Sequence, residues 1–316
     1  MDVYIWHHND LDGVTSAAFF VDFLTSRRGS RGGIITKSVD HSIGKDEWFK
    51  TKLLYPSIVL DYKFNPSAAI WIDHHQGQQQ FVNPPRFLCD PESPSCCRLV
   101  WKWLYDNFGY SNDKWSDTVY WMDIIDSSNY ISAKQFVECK EPPLKVNVAV
   151  YEKNSDPDFM ERLLNLFLED FTFERVLKNP EIQSLYVQGR KKQLKAIQLA
   201  KEKSKLFSLP NGMKVQIINL FKEDKSNEIS YFSMIAFYLF PDVDVAITIN
   251  DYNGSGEPTI GLSVNPFKKV KFDVDVSKIA KENGGGGHIK AAGFQSSSKT
   301  LKKDLLRVLS KLSQVS

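Results

Sequence analysis

Three times within the first 75 residues a short apolar run ends in acids and histidines. Val3-Tyr4-Ile5-Trp6 leads into His7-His8-Asn9-Asp10-Leu11-Asp12-Gly13, Ile58-Val59-Leu60 into Asp61, and Ile70-Trp71-Ile72 into Asp73-His74-His75. Runs rich in β-branched and aromatic residues read as buried parallel strands. In open α/β sheets, ligands collect just beyond the carboxyl ends of such strands. The chain is therefore expected to form a mainly parallel sheet and to bring these acids and imidazoles to one crevice.

Several carboxylates converging without a cation would repel one another and take up protons. Divalent metal ions resolve that conflict, and mixed imidazole and carboxylate ligands suit Mn²⁺, Zn²⁺ or Fe²⁺ better than Mg²⁺. Two such ions could clamp a phosphate and activate a water. The chain holds 6 histidines. His7, His8, His74 and His75 lie in these clusters, His288 lies in a glycine motif, and His41 stands apart. The pattern points to a metal-dependent hydrolase.

Length and composition set outer bounds. At 316 residues the default is two domains with a linker. A net charge of +2 gives no overall attraction for a long nucleic acid. Cys89, Cys96, Cys97 and Cys139 form no CxxC pair, and a zinc site from Cys89 and Cys96 is disfavoured by their spacing. Met1-Asp2 runs straight into the first strand, with no secretory leader and no apolar stretch long enough to span a bilayer. A cytoplasmic protein with free thiols and no membrane partner is expected.

Along the chain, residues 1–140 alternate strand-like and helical runs, with Thr15 and Ser16 as candidate hydroxyl caps of the first helix. Cys97 to Tyr105 reads as a helix, and Val119 to Ile125 as a buried helix or strand carrying Asp123 and Asp126. Lys140-Glu141-Pro142-Pro143 breaks this pattern. Residues 156–205 then look helical, interrupted near Asn179-Pro180. Their cations, from Arg190 to Lys205, read as a solvated face between domains or as a stripe facing nucleic acid. Beyond Leu206, Met213 to Leu220, Val243 to Ile249 and Thr259 to Val264 look like strands, with helices over Phe232 to Phe240 and Leu301 to Leu312.

Gly284-Gly285-Gly286-Gly287-His288 followed by Ala291-Ala292-Gly293 is the second chemical signal. Glycines let backbone N–H groups approach an anion, and a helix starting at His288 would add its positive end.

On these motifs the chain resembles the DHH family of phosphoesterases that carry the DHH-associated C-terminal domain. The matching residues are His8-Asn9-Asp10-Leu11-Asp12-Gly13, Asp61, Asp73-His74-His75, and Gly285-Gly286-Gly287-His288 with Ala291-Ala292-Gly293. The spacing from His8 to Asp10 and Asp12 is similar to the RecJ-like exonuclease and nanoRNase-type branch. The resemblance implies an α/β fold. Its parts are a doubly wound, mainly parallel catalytic domain over residues 1–140, a helical linker over 141–205, and a smaller α/β substrate-binding domain over 206–316. It also implies two Mn²⁺ ions, with Mg²⁺ or another divalent metal as substitute. His8 and Asp10 would hold one, Asp12, His74 and Asp123 the other, and Asp61 would bridge them. Asp126 is the alternative to Asp123. His75 would lie beside the substrate phosphate, Asp73 would fix the orientation of a ligating imidazole, and Gly285, Gly286, Gly287 and His288 would bind substrate. His7 receives no role.

One departure bears on the substrate. Where the family carries a Ser-x-Arg strand, this chain has Ser263-Val264-Asn265, and Asn lacks the charged fork that grips a phosphate. Lys268, Lys269 or Lys271 could compensate. The expected activity is Mn²⁺-dependent hydrolysis of phosphodiesters in short single-stranded oligonucleotides, linear or cyclic dinucleotides, or phosphoadenosine phosphate, with Tyr252 able to stack on a base. A homodimer is allowed. Pyrophosphate or polyphosphate hydrolysis is the second reading, against which the glycine motif argues. A nucleotide-binding regulator without activity is the third, against which the full ligand set argues.

Overall fold

The computed structural model describes residues 2–40, 43–221, 232–251 and 255–315; His41 and Tyr252 lie outside the described residues. The chain divides into two compact units, residues 1–130 with 139–189, and residues 131–138 with 190–316.

The first unit opens with β1 (Val3–His8), α1 (Leu11–Arg28), β2 (Ile34–Val39), α2 (Lys45–Lys50), β3 (Ser57–Leu60), β4 (Ile70–Asp73) and β5 (Phe87–Cys89). The strands form one parallel sheet in the order β2-β1-β3-β4-β5. Period-two alternation divides its side chains between two cores. Ile5, Ile58, Leu60 and Ile72 face a cluster shared with α1, whereas Val59 and Trp71 face Trp48, Tyr62 and Phe64. The chain leaves β1 first toward β2 and then returns to β3 on its other side. That reversal is the switch point where such sheets bind ligands.

Helices α3 (Cys96–Phe108) and α4 (Ser116–Asp126) follow, and after a short α5 (Ala133–Glu138) come α6 (Pro142–Tyr151), α7 (Pro157–Asp170) and α8 (Phe173–Val176). The expected linker divides here. Phe159, Met160, Leu163, Leu164 and Phe167 of α7, with Val146, Ala149 and Val150 of α6, are buried in the same core as α1. An amphipathic face of that width requires a partner, so residues 139–189 belong to the first unit. The expected interruption near Asn179-Pro180 is present: α8 ends at Val176 and Pro180 opens α9 (Pro180–Glu202), where a residue without N–H costs nothing.

The second unit takes in α5, which the sequence division left with the first domain. Its strands β6 (Ser204–Ser208), β7 (Lys214–Asn219), β8 (Val245–Asn250), β9 (Thr259–Val264), β10 (Gly286–His288) and β11 (Ala291–Gln295) form a mixed sheet in the order β10-β11-β9-β8-β7-β6. One face packs on α11 (Val276–Glu282) and α12 (Leu301–Ser313). The other packs on α5, Ala196 and Ala200 of α9, and α10 (Phe232–Leu239). Lys191, Lys192, Lys195 and Lys201 of α9 are exposed.

Candidate metal centre

The registers pair His7 with Leu60 and Leu60 with Ile72. His8, Asp61 and Asp73 therefore stand in one row at the carboxyl ends of β1, β3 and β4. Helix α1 starts at once. Asp10 is its N-cap, and Asp10 Oδ1 accepts the Gly13 N–H at 2.8 Å. A side chain at Gly13 is excluded, because a Cβ there would lie 2.3 Å from the His8 carbonyl oxygen. Thr15, expected as a cap, lies inside the helix, where its hydroxyl donates to the Leu11 carbonyl. Ser16 is likewise inside.

Besides a cluster of Asp61 with His74 and His75, two groups of ligating atoms result. In the first, His8 Nδ1 lies 2.7 Å from Asp10 Oδ2 and 3.8 Å from Asp61 Oδ2. In the second, His74 Nε2 lies 3.1 Å from Asp126 Oδ2, 3.5 Å from Asp61 Oδ1 and 3.8 Å from Asp12 Oδ2. Asp61 turns one oxygen toward each group. Of the expected ligands, His8, Asp10, Asp12, Asp61 and His74 converge, and Asp123 does not. Its Oδ1 accepts from Ser95 Oγ at 2.8 Å, and its Oδ2 accepts from Arg98 Nε at 2.9 Å and from Arg98 Nη2. Asp126, three residues further along α4, takes the place against His74.

Asp61 is fully buried, and its φ of 56° puts it in the left-handed region that costs a non-glycine residue strain. Both of its oxygens, and His74 Nε2, are buried without a hydrogen-bond partner. Burial, with Asp10 and Asp12 close by, pushes the Asp61 carboxyl well above its usual range. Asp12 is pushed up to about 7 by burial and then by Asp126, although it accepts the N–H groups of Cys96 at 2.7 Å and Cys97 at 3.0 Å. Asp10 goes the other way. Burial opposes its charge, but the His8 ring and the Gly13 N–H outweigh that and hold it below the carboxylate range. Burial would lower His74, yet Asp126 and Asp61 drive it up to about 12.

Four carboxylates thus face three imidazoles across these groups. Buried negative charge with unpartnered donor atoms fits divalent cations, and this donor set fits Mn²⁺, Fe²⁺ or Zn²⁺.

The neighbouring groups are oriented. His74 Nδ1 lies 3.1 Å from the Ser93 carbonyl; an N–H there donates to it, so Nε2, facing Asp61 and Asp126, is the nitrogen that would give up its proton to a cation. Asp73 serves the other ring: its Oδ1 accepts from His75 Nδ1 at 2.7 Å, and its Oδ2 from the Gln78 amide. Burial would lower His75, but Asp73 outweighs it and raises the ring above its ordinary value. His7 belongs to neither group. Burial pushes it down to about 4, so it stays neutral, with Nδ1 against the His8 carbonyl at 2.8 Å.

In the second unit the glycine motif is a strand, not a loop before a helix. Gly286–His288 pair antiparallel with Ala291–Gly293. A Cβ at Gly285 would lie 2.1 Å from the Gly293 carbonyl oxygen, and one at Gly287 would lie 2.5 Å from Ala292 Cα. Close strand approach therefore dictates these glycines. His288 is exposed on the edge strand. Asn265, where an arginine was expected, is buried, and its amide donates to the Pro241 carbonyl at 3.0 Å and the Val243 carbonyl at 2.8 Å. Lys268 is paired with Asp244 at 2.7 Å.

No family model and no curated protein matches the chain. Solved structures do match in shape. The pGpG-specific phosphodiesterase PggH from Vibrio cholerae superposes with a TM-score of 0.75 at 16% identity, covering 98% of each chain. A DHH domain from a member of a ribosomal-protein family gives a TM-score of 0.58 at 14% identity, over 99% of this chain and 87% of that one. RecJ from Thermus thermophilus, solved with Mn²⁺, gives 0.59 at 13% identity, over 98% of this chain and 52% of that one. Along nearly its whole length, the chain has the fold of the DHH-domain proteins.

Proposed function

We propose that this protein is a divalent-metal-dependent phosphodiesterase acting on short single-stranded oligonucleotides or small nucleotides. One observation carries the reading: Asp61, buried and strained, has both oxygens unpartnered between two ligand groups. A buried carboxyl there is left without hydrogen bonds, whereas two cations side by side would pair both of its oxygens. His8 and Asp10 would hold one ion, Asp12, His74 and Asp126 the other, and Asp61 both. The Mn²⁺ in the RecJ structure of the same fold supports manganese as the first metal to test. The mutual coverage with a pGpG phosphodiesterase supports a dinucleotide-sized substrate, and so does the small net charge.

When bound, such ions polarise phosphoryl oxygens and lower the pKa of a coordinated water. The chain's own groups supply the remainder. Asp73 fixes the His75 ring and favours its protonated form, so His75, 45% exposed, is placed to stabilise the phosphate and to give a proton to the leaving oxygen. In the second unit, the exposed His288 with Gly285, Gly286 and Gly287 of the edge hairpin would hold the nucleotide.

The test is a hydrolysis panel with Mn²⁺: pGpG, other linear and cyclic dinucleotides, longer single strands, phosphoadenosine phosphate, pyrophosphate and polyphosphate. Mononucleotide release from dinucleotides, abolished by chelator, is expected. Phosphate release from pyrophosphate or polyphosphate with dinucleotides left intact overturns the substrate assignment. Hydrolysis that persists in chelator overturns the metal.

A further inference from the structure

The turn from Ser93 to Arg98 touches His74 and Asp12 of one ligand group and holds the helix that carries its third member, Asp126. The Ser93 carbonyl meets His74 Nδ1 at 3.1 Å. Two residues on, Ser95 caps α3 by accepting the Arg98 N–H at 3.0 Å, and its hydroxyl also meets Asp123 Oδ1 at 2.8 Å. The first free N–H groups of α3, on Cys96 and Cys97, take both oxygens of Asp12. Arg98 closes the circuit onto Asp123 Oδ2. Asp123 lies three residues before Asp126 on α4, so the two carboxylates project from the same helix face. The other group, His8 with Asp10 and Asp61, is placed by β1, the α1 cap and the end of β3.

We infer that the Ser93–Arg98 turn is a positioning bracket for one half of the metal centre, with the Arg98–Asp123 pair setting the rotation and height of α4 so that Asp126 meets His74 and Asp12. Arg98 and Asp123 are positioning residues and not ligands. Their loss releases α4 from α3 and opens the Asp12–His74–Asp126 half while leaving the His8–Asp10–Asp61 half intact. The inference rests on the metal reading above and assigns control of one of its two ions.

The experiment is calorimetric titration of the metal-free chain with Mn²⁺, with bound manganese counted by mass spectrometry after dialysis and folding checked by circular dichroism. The wild type is expected to bind two ions. Arg98→Ala and Asp123→Asn should each keep one ion at wild-type affinity and weaken the other by about tenfold or more. The exchanged pair, Arg98→Asp with Asp123→Arg, should recover the second ion, which a loss of folding alone would not allow; it also serves as the measurement if Arg98→Ala does not fold. Two ions at unchanged affinity in both single variants overturn the bracket and leave the metal reading standing. Equal weakening of both ions, or no recovery in the exchanged pair, also overturns it. A wild-type chain that binds no Mn²⁺ overturns the bracket and the metal reading together.

Discussion

The two halves of the candidate metal centre are built in different ways. His8 and Asp10 are two residues apart, one ending β1 and the other capping α1, so local geometry alone brings them to 2.7 Å. Asp12, His74 and Asp126 come from α1, the end of β4 and the end of α4, and they meet only because α3 and α4 pack as they do. The first half is a property of a turn, and the second is a property of tertiary packing. The first should therefore resist changes elsewhere in the unit, and the second should be easy to disturb from outside.

Asp61 belongs to both halves, so its removal breaks the comparison outright. Asp61→Ala should lower the rate of dinucleotide hydrolysis by about 10³-fold, at the upper end for losing one group at a reacting centre. It should also weaken both ions in the same titration. The variant should fold at least as stably as the wild type when metal-free, because a buried carboxyl with both oxygens unpartnered is removed while the left-handed backbone stays as it is. Unchanged hydrolysis would show that the strained carboxylate serves something other than this chemistry.

Asp126 and Asp123 test the second half alone. Asp126→Asn should weaken one ion by about 10²-fold, and Asp123→Asn by about tenfold, since the first removes a ligand and the second a support. The reverse order would return the ligand role to Asp123. The sequence could not choose between them. Both carboxylates follow apolar residues on one helix and share a face, and the selection is made by Arg98 and Ser95, whose approach depends on how α3 lies on α4.

The parts that were legible share a cause. Alternation in β1, β3 and β4 fixes which residues end the strands, so the row His8, Asp61, Asp73 could be placed from pattern alone. Illegible parts depended on partners. The four glycines at 284–287 are compatible with an anion loop or with a tight hairpin, and the contact that decides, Gly285 on Gly293, spans two strands. The small residues Ala291-Ala292-Gly293 were the available signal, because close strands need small residues on both sides. Residues 141–189 read as a linker only until the breadth of the apolar face on α7 is counted.

The smallest effect concerns protons, and it sharpens the same contrast. Asp12 is raised to about 7 and His74 to about 12, so the folded, metal-free second half holds protons that the unfolded chain gives up. A raised group stabilises the fold below its unfolded pKa and loses that contribution as pH rises toward the folded value. For His74 the loss begins near pH 6.5; for Asp12 it is complete above about 7. His7, pushed down to about 4, acts oppositely but only below 6.5. Between pH 6.5 and 8 the metal-free chain should therefore lose stability at about 1 kcal/mol per pH unit. Saturating Mn²⁺ replaces those protons, so the slope should vanish in its presence, and Asp12→Asn should reduce it without metal. Thermal melts at four pH values with and without Mn²⁺ measure this. A metal-free melting temperature that rises across the window would mean that the second half is not held together by protons when its ion is missing, and the two halves would then differ in ligands but not in electrostatic design.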